Sequence, residues 1–260
     1  MDMEIKSDAF DLYLIIGLTK ESRHWSEDFL NEIHSQLKPN KIHLVDLPGS
    51  GKFLHSKSPT TLASIVDQTR EQLEFHPDRK RVVVAISLGG MVAWEWVTRY
   101  PNDFDAMVMI NSSMAGVSSV FRRVQPKAIL SFLQIAFAKK GEKKEKLILD
   151  LCSNHESNAK KIHPKWAKIG IEGDMRLSNV LRQLVAGMRF RAKAIPRLPL
   201  LLIASKYDRL AHYSCSQDIA RLTKAQLVLC EDQSIGHAFH LDGPQFLVSE
   251  ISGWLEGISL

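Results

Sequence analysis

The stretch VVVAISLGGMVAWEW, Val82 to Trp96, decides how this chain is interpreted. A β-branched run typical of a buried strand ends at Ser87, and an apolar pattern with helical spacing begins after it. A strand that turns sharply into a helix at a serine has the outline of a nucleophile elbow, G-x-S-x-G, with Ala85 in place of the first glycine. Ala85 and Gly89 are small enough for such a turn, which would lift the serine side chain above the sheet edge. The pattern also fits a small-residue turn in any α/β protein.

Strand-like and helix-like segments alternate on both sides of this turn. Such alternation predicts a parallel sheet covered by helices on both faces. The six predicted strands are Asp11–Gly17, Lys41–Leu47, Arg81–Ile86, Phe104–Asn111, Leu198–Ser205 and 225–231. The helices predicted beside them are Ser26–Leu37, Ser58–Phe75 with Pro59 near its first turn, 89–101, 212–222 and 243–258.

Strands disappear between Ser112 and Arg197, where the pattern is helical throughout, as in residues 127–140, 143–154 and 178–194. We therefore divide the chain into an α/β core, residues 1–111 and 198–260, and an all-helical insertion, residues 112–197. Between Asn111 and Leu200 there are 18 Lys and Arg residues against 6 Asp and Glu, whereas the remainder has 16 against 23. The insertion is basic and the core is acidic.

Composition indicates an ordinary globular protein. The chain has 260 residues, of which 45% are hydrophobic and 24% charged. Its three cysteines are far apart and show no zinc-binding spacing, which favours a reduced, cytoplasmic setting. The N-terminus is acidic before a short apolar run, unlike a secretory signal, and no run approaches ~18 apolar residues. We expect neither a signal peptide nor a transmembrane segment.

Two residues late in the chain are candidate partners for Ser87. A serine hydroxyl needs a base, and the base needs a carboxylate that orients it. Asp208 follows the predicted strand that ends at Ser205, and His237 follows the next strand. Both loops leave the carboxyl edge of the sheet, where sites of open parallel sheets lie. The order serine, aspartate, histidine is the one found in α/β-hydrolases.

The chain resembles the α/β-hydrolase fold family over nearly its whole length. Three motifs carry the resemblance: AISLGG at the elbow, SKYDRL at the acid, and GHAFHLDGP at the histidine, with Pro244 seven residues after His237. IIGLTKESRHW matches the loop that supplies an oxyanion-hole amide in that family, which implies the amide of Leu18 after Gly17, beside that of Leu88. Ile16 stands where relatives often have histidine.

The resemblance implies a carboxylic ester hydrolase with a helical cap. Ser87 would attack an ester or thioester and form an acyl-enzyme, without a metal or organic cofactor. A serine at the elbow argues against haloalkane dehalogenase and epoxide hydrolase chemistry, which use aspartate there. The insertion falls where the family places a cap over the active site, so Ser112, Ser113 and Met114 are candidate pocket residues together with Gly17.

Other residues were weighed against the three catalytic candidates. His240 is an alternative base, but it lacks the preceding glycine. Asp218 is an alternative acid on a predicted helix, where we expect it to face solvent. Asn111 ends the strand where some relatives place the acid, but an amide cannot balance an imidazolium. His24 and Arg23 could reach a substrate's polar end, although exposed positions at a helix entry are the simpler expectation.

The sequence does not match either of two nucleotide-binding motifs. PGSGKF contains GxGK, but a phosphate-binding loop would need glycine at Asp46 and serine or threonine at Phe53. The dinucleotide fingerprint GxGxxG is absent. The basic insertion shows neither aromatic interleaving nor a helix-turn-helix pattern, so a nucleic-acid partner is not expected.

The charge of the insertion leaves three interpretations: solvated helix faces, a surface that guides an acidic substrate or carrier, and contact with an anionic membrane. Some cap-bearing relatives hydrolyse esters held on acyl carrier protein, the pimeloyl-carrier-protein methyl esterase type among them. FRRVQPK and RFRAKAIPR, with Arg122, Arg123 and Arg191, would suit such docking. A non-catalytic small-molecule binding protein of the same fold is the alternative of another class.

Overall fold

A six-stranded parallel sheet forms the centre of this computed structural model, which describes residues 10–76, 78–173, 175–258 and 260. The strand order is β2-β1-β3-β4-β5-β6, and every neighbouring pair is parallel. The strands are β1 Phe10–Ile15, β2 Lys41–Val45, β3 Lys80–Ile86, β4 Ala106–Ile110, β5 Leu200–Ser205 and β6 Gln226–Cys230. The predictions of a parallel sheet and of six strands are confirmed.

Apolar side chains leave both faces of this sheet and build two layers. Along β1, Tyr13 and Ile15 enter one layer, whereas Leu12 and Leu14 enter the other. This alternation follows from the two-residue period of a strand. Because both faces are covered, the central strands are apolar runs without alternating polar residues.

Helices cover each layer. One layer packs on α2 and α3, and the other packs on α1 and α11. The bounds are α1 Glu27–Glu32, which continues as a π turn over Ile33–Leu37, α2 Leu62–Arg70, α3 Leu88–Arg99, α9 Ser214–Thr223, α10 Phe239–Asp242 and α11 Pro244–Glu256.

The second helix is shorter than predicted. It begins after Thr61, whose hydroxyl accepts a hydrogen bond from the Ser64 amide at 3.3 Å, so Pro59 lies outside it. It ends at Arg70, while Leu73 and Phe75 pack against the apolar layer from the following loop. Apolar residues continue at roughly helical spacing beyond Arg70, so the sequence pattern overestimates the length of this helix.

The described residues between β4 and β5 form five helices. They are α4 Val120–Arg123, α5 Pro126–Phe137, α6 Glu142–Cys152, α7 Glu156–Gly173 and α8 Leu177–Arg189. Apolar side chains of α6 and α7 form a small cluster with Ala238 and Leu241 from the loop region before α11. None of the helices in the described ranges is both long and apolar enough to cross a bilayer.

Candidate active site

Ser87 occupies a strained turn between β3 and α3. Its φ of 57° and ψ of −119° lie where residues other than glycine are rare. The backbone holds this conformation from both sides: the Ser87 N–H donates to the Ile110 carbonyl at 2.9 Å, and the Ser112 hydroxyl donates to the Ser87 carbonyl at 2.8 Å. A Cβ at Gly89 would lie 2.4 Å from the Ile15 carbonyl oxygen. The small residue two places after the serine is therefore required by the end of β1.

The loop after β1 passes beside Ser87. A Cβ built on Gly17 would lie 3.1 Å from the Ser87 Cβ and 3.7 Å from its Oγ. The next residue, Leu18, packs against the apolar layer under α3. Leu88 is the first residue of α3, so its N–H belongs to the helix turn whose amides lack intrahelical acceptors. Two backbone segments of the kind that form an oxyanion hole thus lie next to the serine.

Asp208 and His237 form a buried pair. The His237 Nδ1 and the Asp208 Oδ2 are 2.6 Å apart. The other carboxylate oxygen of Asp208 accepts hydrogen bonds from the amides of Leu210 and Ala211 at 2.7 and 3.0 Å. With the carboxylate oriented in this way, Nδ1 carries the proton and Nε2 is left as the basic nitrogen.

The end of β4 joins the serine to the histidine loop. Ile110 and Ser112 bond to the backbone of Ser87, while Asn111 between them donates from Nδ2 to the carbonyl of His237 at 3.1 Å. Ser87 and His237 are therefore held on either side of one three-residue segment. Among the described residues, the Ser87 hydroxyl forms no hydrogen bond with the His237 ring.

Asn111 is a residue whose role the sequence did not reveal. Its Nδ2 also donates to the Gly236 carbonyl at 3.2 Å, and its Oδ1 accepts from the Ser205 amide at 2.9 Å. Its φ of 46° is one that asparagine tolerates better than most residues. Asn111 thus ties the histidine loop to the ends of β4 and β5. An amide directly after a buried apolar strand is the one signal of this role in the sequence.

Asp242 ties the same loop to the insertion. Its carboxylate accepts hydrogen bonds from the Gly236 amide at 2.8 Å, from the Asn154 amide at 2.9 Å and from the Ser153 hydroxyl at 2.5 Å. Burial raises the pKa of Asp242, and these donors oppose the rise. The turn between α6 and α7 is therefore attached to the loop that carries His237.

The residues proposed for the substrate pocket are less accessible than their positions suggested. The Ser112 hydroxyl is occupied by the Ser87 carbonyl, and Ser113 is 3% exposed. Met114 has no exposed area and lies in the apolar layer with Leu88. Gly17 is half-buried beside the serine.

Among the described residues, neither His240 nor His24 bonds to Asp208, which pairs with His237. The His240 ring contacts Trp25 at a centroid distance of 4.9 Å, and its Nε2 lies 3.3 Å from the His24 carbonyl oxygen. Burial lowers the pKa of His240 to about 3 and holds that of His24 well below its usual value. The expectation that His24 is exposed is wrong, because its ring packs edge-on against Trp166 of α7.

Two further expectations from the sequence are wrong. The Asp218 carboxylate does not face solvent: it accepts from the Ser118 hydroxyl at 2.8 Å and pairs with Arg122 at 2.9 Å, which fastens α9 to the insertion. Arg123 is not available for docking, because it is buried and donates to the Gly187 carbonyl at 2.8 Å. The pattern of charged residues along the chain does not show which of them are paired inside the protein and which face solvent.

The described residues contain no cluster of three His, Cys, Asp or Glu side chains that could hold a metal ion. The three cysteines are free thiols. Burial raises the pKa of Cys152 to about 12 and raises that of Cys215 and Cys230, so none is a reactive thiolate.

Residues 41–242 match the family described as serine aminopeptidase, S33. The chain belongs to this family. Its members share the α/β-hydrolase fold seen here, so the chain is an α/β-hydrolase and an enzyme, as the sequence predicted.

Comparisons with individual proteins agree with this family. A pimeloyl-[acyl-carrier protein] methyl ester esterase of Vibrio vulnificus is 26% identical over 126 residues, which are 48% of this chain and 46% of that protein. The match thus spans about half the length of this relative. The esterase RhEst1 from Rhodococcus superposes with a TM-score of 0.70 at 15% identity, covering 96% of this chain and 92% of that one. A meta-cleavage product hydrolase from Pseudomonas fluorescens superposes with a TM-score of 0.68 at the same identity and coverage. These two likenesses concern the fold.

Proposed function

We propose that this S33-family hydrolase cleaves a carboxylic ester or thioester through an acyl-enzyme on Ser87. The observation that carries the proposal is the 2.6 Å bond between His237 and Asp208, held beside a serine in a strained strand-to-helix turn. Hydroxyl, imidazole and carboxylate are the three groups that nucleophilic acyl transfer requires.

In the proposed reaction, His237 Nε2 takes the proton of the Ser87 hydroxyl as the oxygen attacks the carbonyl carbon. Asp208 keeps the ring in the required tautomer and offsets its positive charge. The amides of Leu18 and Leu88 stabilise the oxyanion, and His237 then protonates the leaving alkoxide or thiolate. Water hydrolyses the acyl-enzyme by the same steps in the same order.

The proposal requires one rearrangement. The Ser87 hydroxyl has to turn toward Nε2, because the two groups are not hydrogen-bonded among the described residues. Catalytic hydrogen bonds are often long or misaligned before substrate binds. The backbone bonds of Ile110 and Ser112 hold the main chain of Ser87, so the proposed movement is a rotation of the side chain about its Cα–Cβ bond.

We propose that residues 112–197 act as a cap on a core formed by residues 1–111 and 198–260. A Cβ on Gly187 of α8 would lie 2.8 Å from the Leu88 side chain, so this helix lies directly against the start of α3. A cap in this place would exclude water from the acyl pocket. A cytoplasmic location is part of the proposal and is supported by the three free thiols.

A second candidate is an ester held on an acidic acyl carrier protein. Two observations favour it: the name of the Vibrio vulnificus relative and the basic balance of the insertion. Because Arg123 is buried, a carrier would have to contact the exposed cations Arg189, Arg191 and Lys193 instead. Charge reversal at these three positions should slow a carrier-bound methyl ester and leave a small neutral ester unaffected.

Labelling with a fluorophosphonate probe tests the proposed function. The wild type should be labelled, Ser87→Ala should not, and Ser131→Ala on α5 should be labelled like the wild type. His237→Ala should be labelled far more slowly than the wild type, because the hydroxyl has lost its base. A folded wild type that remains unlabelled, and does not hydrolyse p-nitrophenyl or thioester substrates, would instead support a non-catalytic binding protein.

A further inference from the structure

The helix α8 has its apolar side turned outward. Leu177, Leu181, Leu184 and Met188 are all exposed. Steps of four, three and four residues at 100° each put them within about 60° of one another, along one stripe of the helix. The opposite side carries Asn179 and Gln183, which are buried.

The polar side of α8 holds the helix on the core. The Asn179 Oδ1 accepts from the Ser58 amide at 3.0 Å, and the Gln183 Nε2 donates to the Pro48 carbonyl at 3.1 Å. Amphipathic helices of water-soluble proteins place their apolar stripe inside. Here the arrangement is reversed, and side-chain hydrogen bonds to backbone groups fasten the helix in that orientation.

The helix α5 presents a second apolar face. Ile129, Leu130, Leu133 and Phe137 lie within about 100° of one another around the helix axis. Leu130 is 64% exposed and Phe137 is 87% exposed. The buried side of this helix is formed by Ala128 and Ile135, so its larger side chains point outward.

Both segments carry positive charge without acidic residues. Asp and Glu are absent from residues 112–141 and again from residues 175–206. Lys206 at the end of the second segment pairs with Glu231. The other exposed cations of these segments form no ion pair with any described residue; they are Lys127, Lys139, Lys140, Arg176, Arg189, Arg191, Lys193 and Arg197. The charged residues that these two segments contribute around their apolar faces are therefore all cationic.

The helix α4 connects α5 and α8. Arg123 at the end of α4 donates to the carbonyl of Gly187 near the end of α8. Gln125, just before α5, donates from its side chain to the Asp208 carbonyl at 2.6 Å. The outward faces thus belong to helices that also contact the elbow helix and the loop of the acid.

We propose that α5 and α8 dock on an anionic bilayer surface, with the apolar faces in the interfacial region and the surrounding cations at the headgroups. Apolar side chains bordered by Lys and Arg are the chemistry of helices that lie in a membrane interface. Basic residues near an anionic leaflet add electrostatic attraction, and segments without carboxylates fit such a surface. A second copy would bring two cationic surfaces together, and a water-soluble carrier would have to cover two apolar faces as well as the charges.

Sedimentation with lipid vesicles tests this proposal. Wild type should bind phosphatidylcholine vesicles that contain phosphatidylglycerol at least about 10-fold more tightly than pure phosphatidylcholine vesicles, and salt should weaken the binding. A triple variant, Leu130→Gln, Leu133→Gln, Phe137→Gln, should bind the anionic vesicles about 10-fold or more weakly than the wild type, since three apolar side chains no longer enter the interface. Leu222→Gln, an exposed apolar position on α9, should bind as the wild type does.

Thermal unfolding and fluorophosphonate labelling should show that the triple variant is folded. Ser87→Ala protein should bind vesicles as the wild type does, so this test stands whether or not Ser87 is the nucleophile.

Three results would overturn the proposal. One is equal binding to both vesicle types, or binding to neither. Another is a micromolar dimer in sedimentation velocity that the triple variant abolishes, which would assign the faces to a second copy. The third is tight binding of acyl carrier protein, lost in the triple variant, without any binding to vesicles.

Discussion

Large apolar side chains are buried in the sheet, whereas many of those on the inserted helices are exposed. In the sheet, Val84 and Val108 face each other across β3 and β4 with no exposed area. In the insertion, leucines of α8 lie in solvent while an asparagine and a glutamine are buried. Of the thirteen large apolar side chains described as exposed, twelve lie between Val120 and Ile195. The sheet is therefore organised by burial within the chain, whereas the outer surface of the insertion is shaped for something outside it.

The same difference appears in how the parts are held. Apolar layers on both faces hold the sheet, while polar contacts attach α8 and the α6–α7 turn to the core. Hydrogen bonds contribute about 0.5–1.5 kcal/mol each, less than a fully buried large apolar side chain. A small apolar cluster with Ala238 and Leu241 and the buried Ala186 of α8 add apolar contacts, but the insertion has no layer comparable to those of the sheet. We therefore expect the insertion to open at lower free energy than the sheet.

The largest expected effect compares one leucine from each region. Leu201→Ala, in β5 with no exposed area, should lower the free energy of unfolding by about 2–5 kcal/mol. Leu181→Ala, on the outer stripe of α8, should change it by less than about 0.5 kcal/mol. Urea denaturation of both variants without lipid measures the difference. A large loss for Leu181→Ala would show that this stripe is covered in solution and would remove the contrast.

Two glycine-to-alanine variants test how closely β1 approaches the elbow. Gly89→Ala would place a Cβ 2.4 Å from a backbone oxygen of β1, and we expect a loss of about 3 kcal/mol together with loss of labelling at Ser87. Gly253→Ala, on α11 with nothing within 4 Å of its Cβ, should be neutral or add up to about 1 kcal/mol. Thermal unfolding measures both. A stable, labelled Gly89→Ala would contradict the close approach of β1 to the elbow.

The smallest expected change in stability concerns the contact between the core and the insertion. There, His240 and His24 pack against Trp166 of the insertion. The folded protein holds His240 neutral with a pKa of about 3, whereas the unfolded chain protonates it near pH 6.5. Unfolding therefore takes up protons between these values, so stability falls as pH drops below 6.5.

One histidine contributes at most about 1.4 kcal/mol per pH unit to this loss. His240→Asn should therefore be less acid-sensitive than the wild type when urea unfolding is measured at pH 6.5 and pH 4.5. His34→Asn, at an exposed position, should match the wild type. An unchanged acid sensitivity in His240→Asn would show that His240 is not held neutral by burial.

Much of the fold could be predicted because each signal was local. Apolar runs predicted the six strands, and the confirmed α/β-hydrolase fold rests on motifs around three loops. Helix ends were less predictable: α2 stops at Arg70 although apolar spacing continues, and Leu73 and Phe75 pack, partly buried, against the apolar layer from the following loop.

The site divides in the same way. The residue types at Ser87, Asp208 and His237 were visible in the chain because each stands in a short motif, and their roles remain a proposal. The part played by Asn111 was not visible, since its three partners come from residues up to 126 positions away. The burial of Arg123 and the ion pair of Asp218 were not predictable for the same reason, since their partners are also distant in the chain.

The order of strands, helices and loops along the chain, the small residues of the elbow and the segregation of charge were determined by the sequence alone, because each depends on neighbours within a few positions. Which carboxylate meets which imidazole, which cations are buried and which side of α8 faces water were decided only by the tertiary structure. The physical reason is that desolvation and pairing act on groups that become neighbours only when the chain is folded.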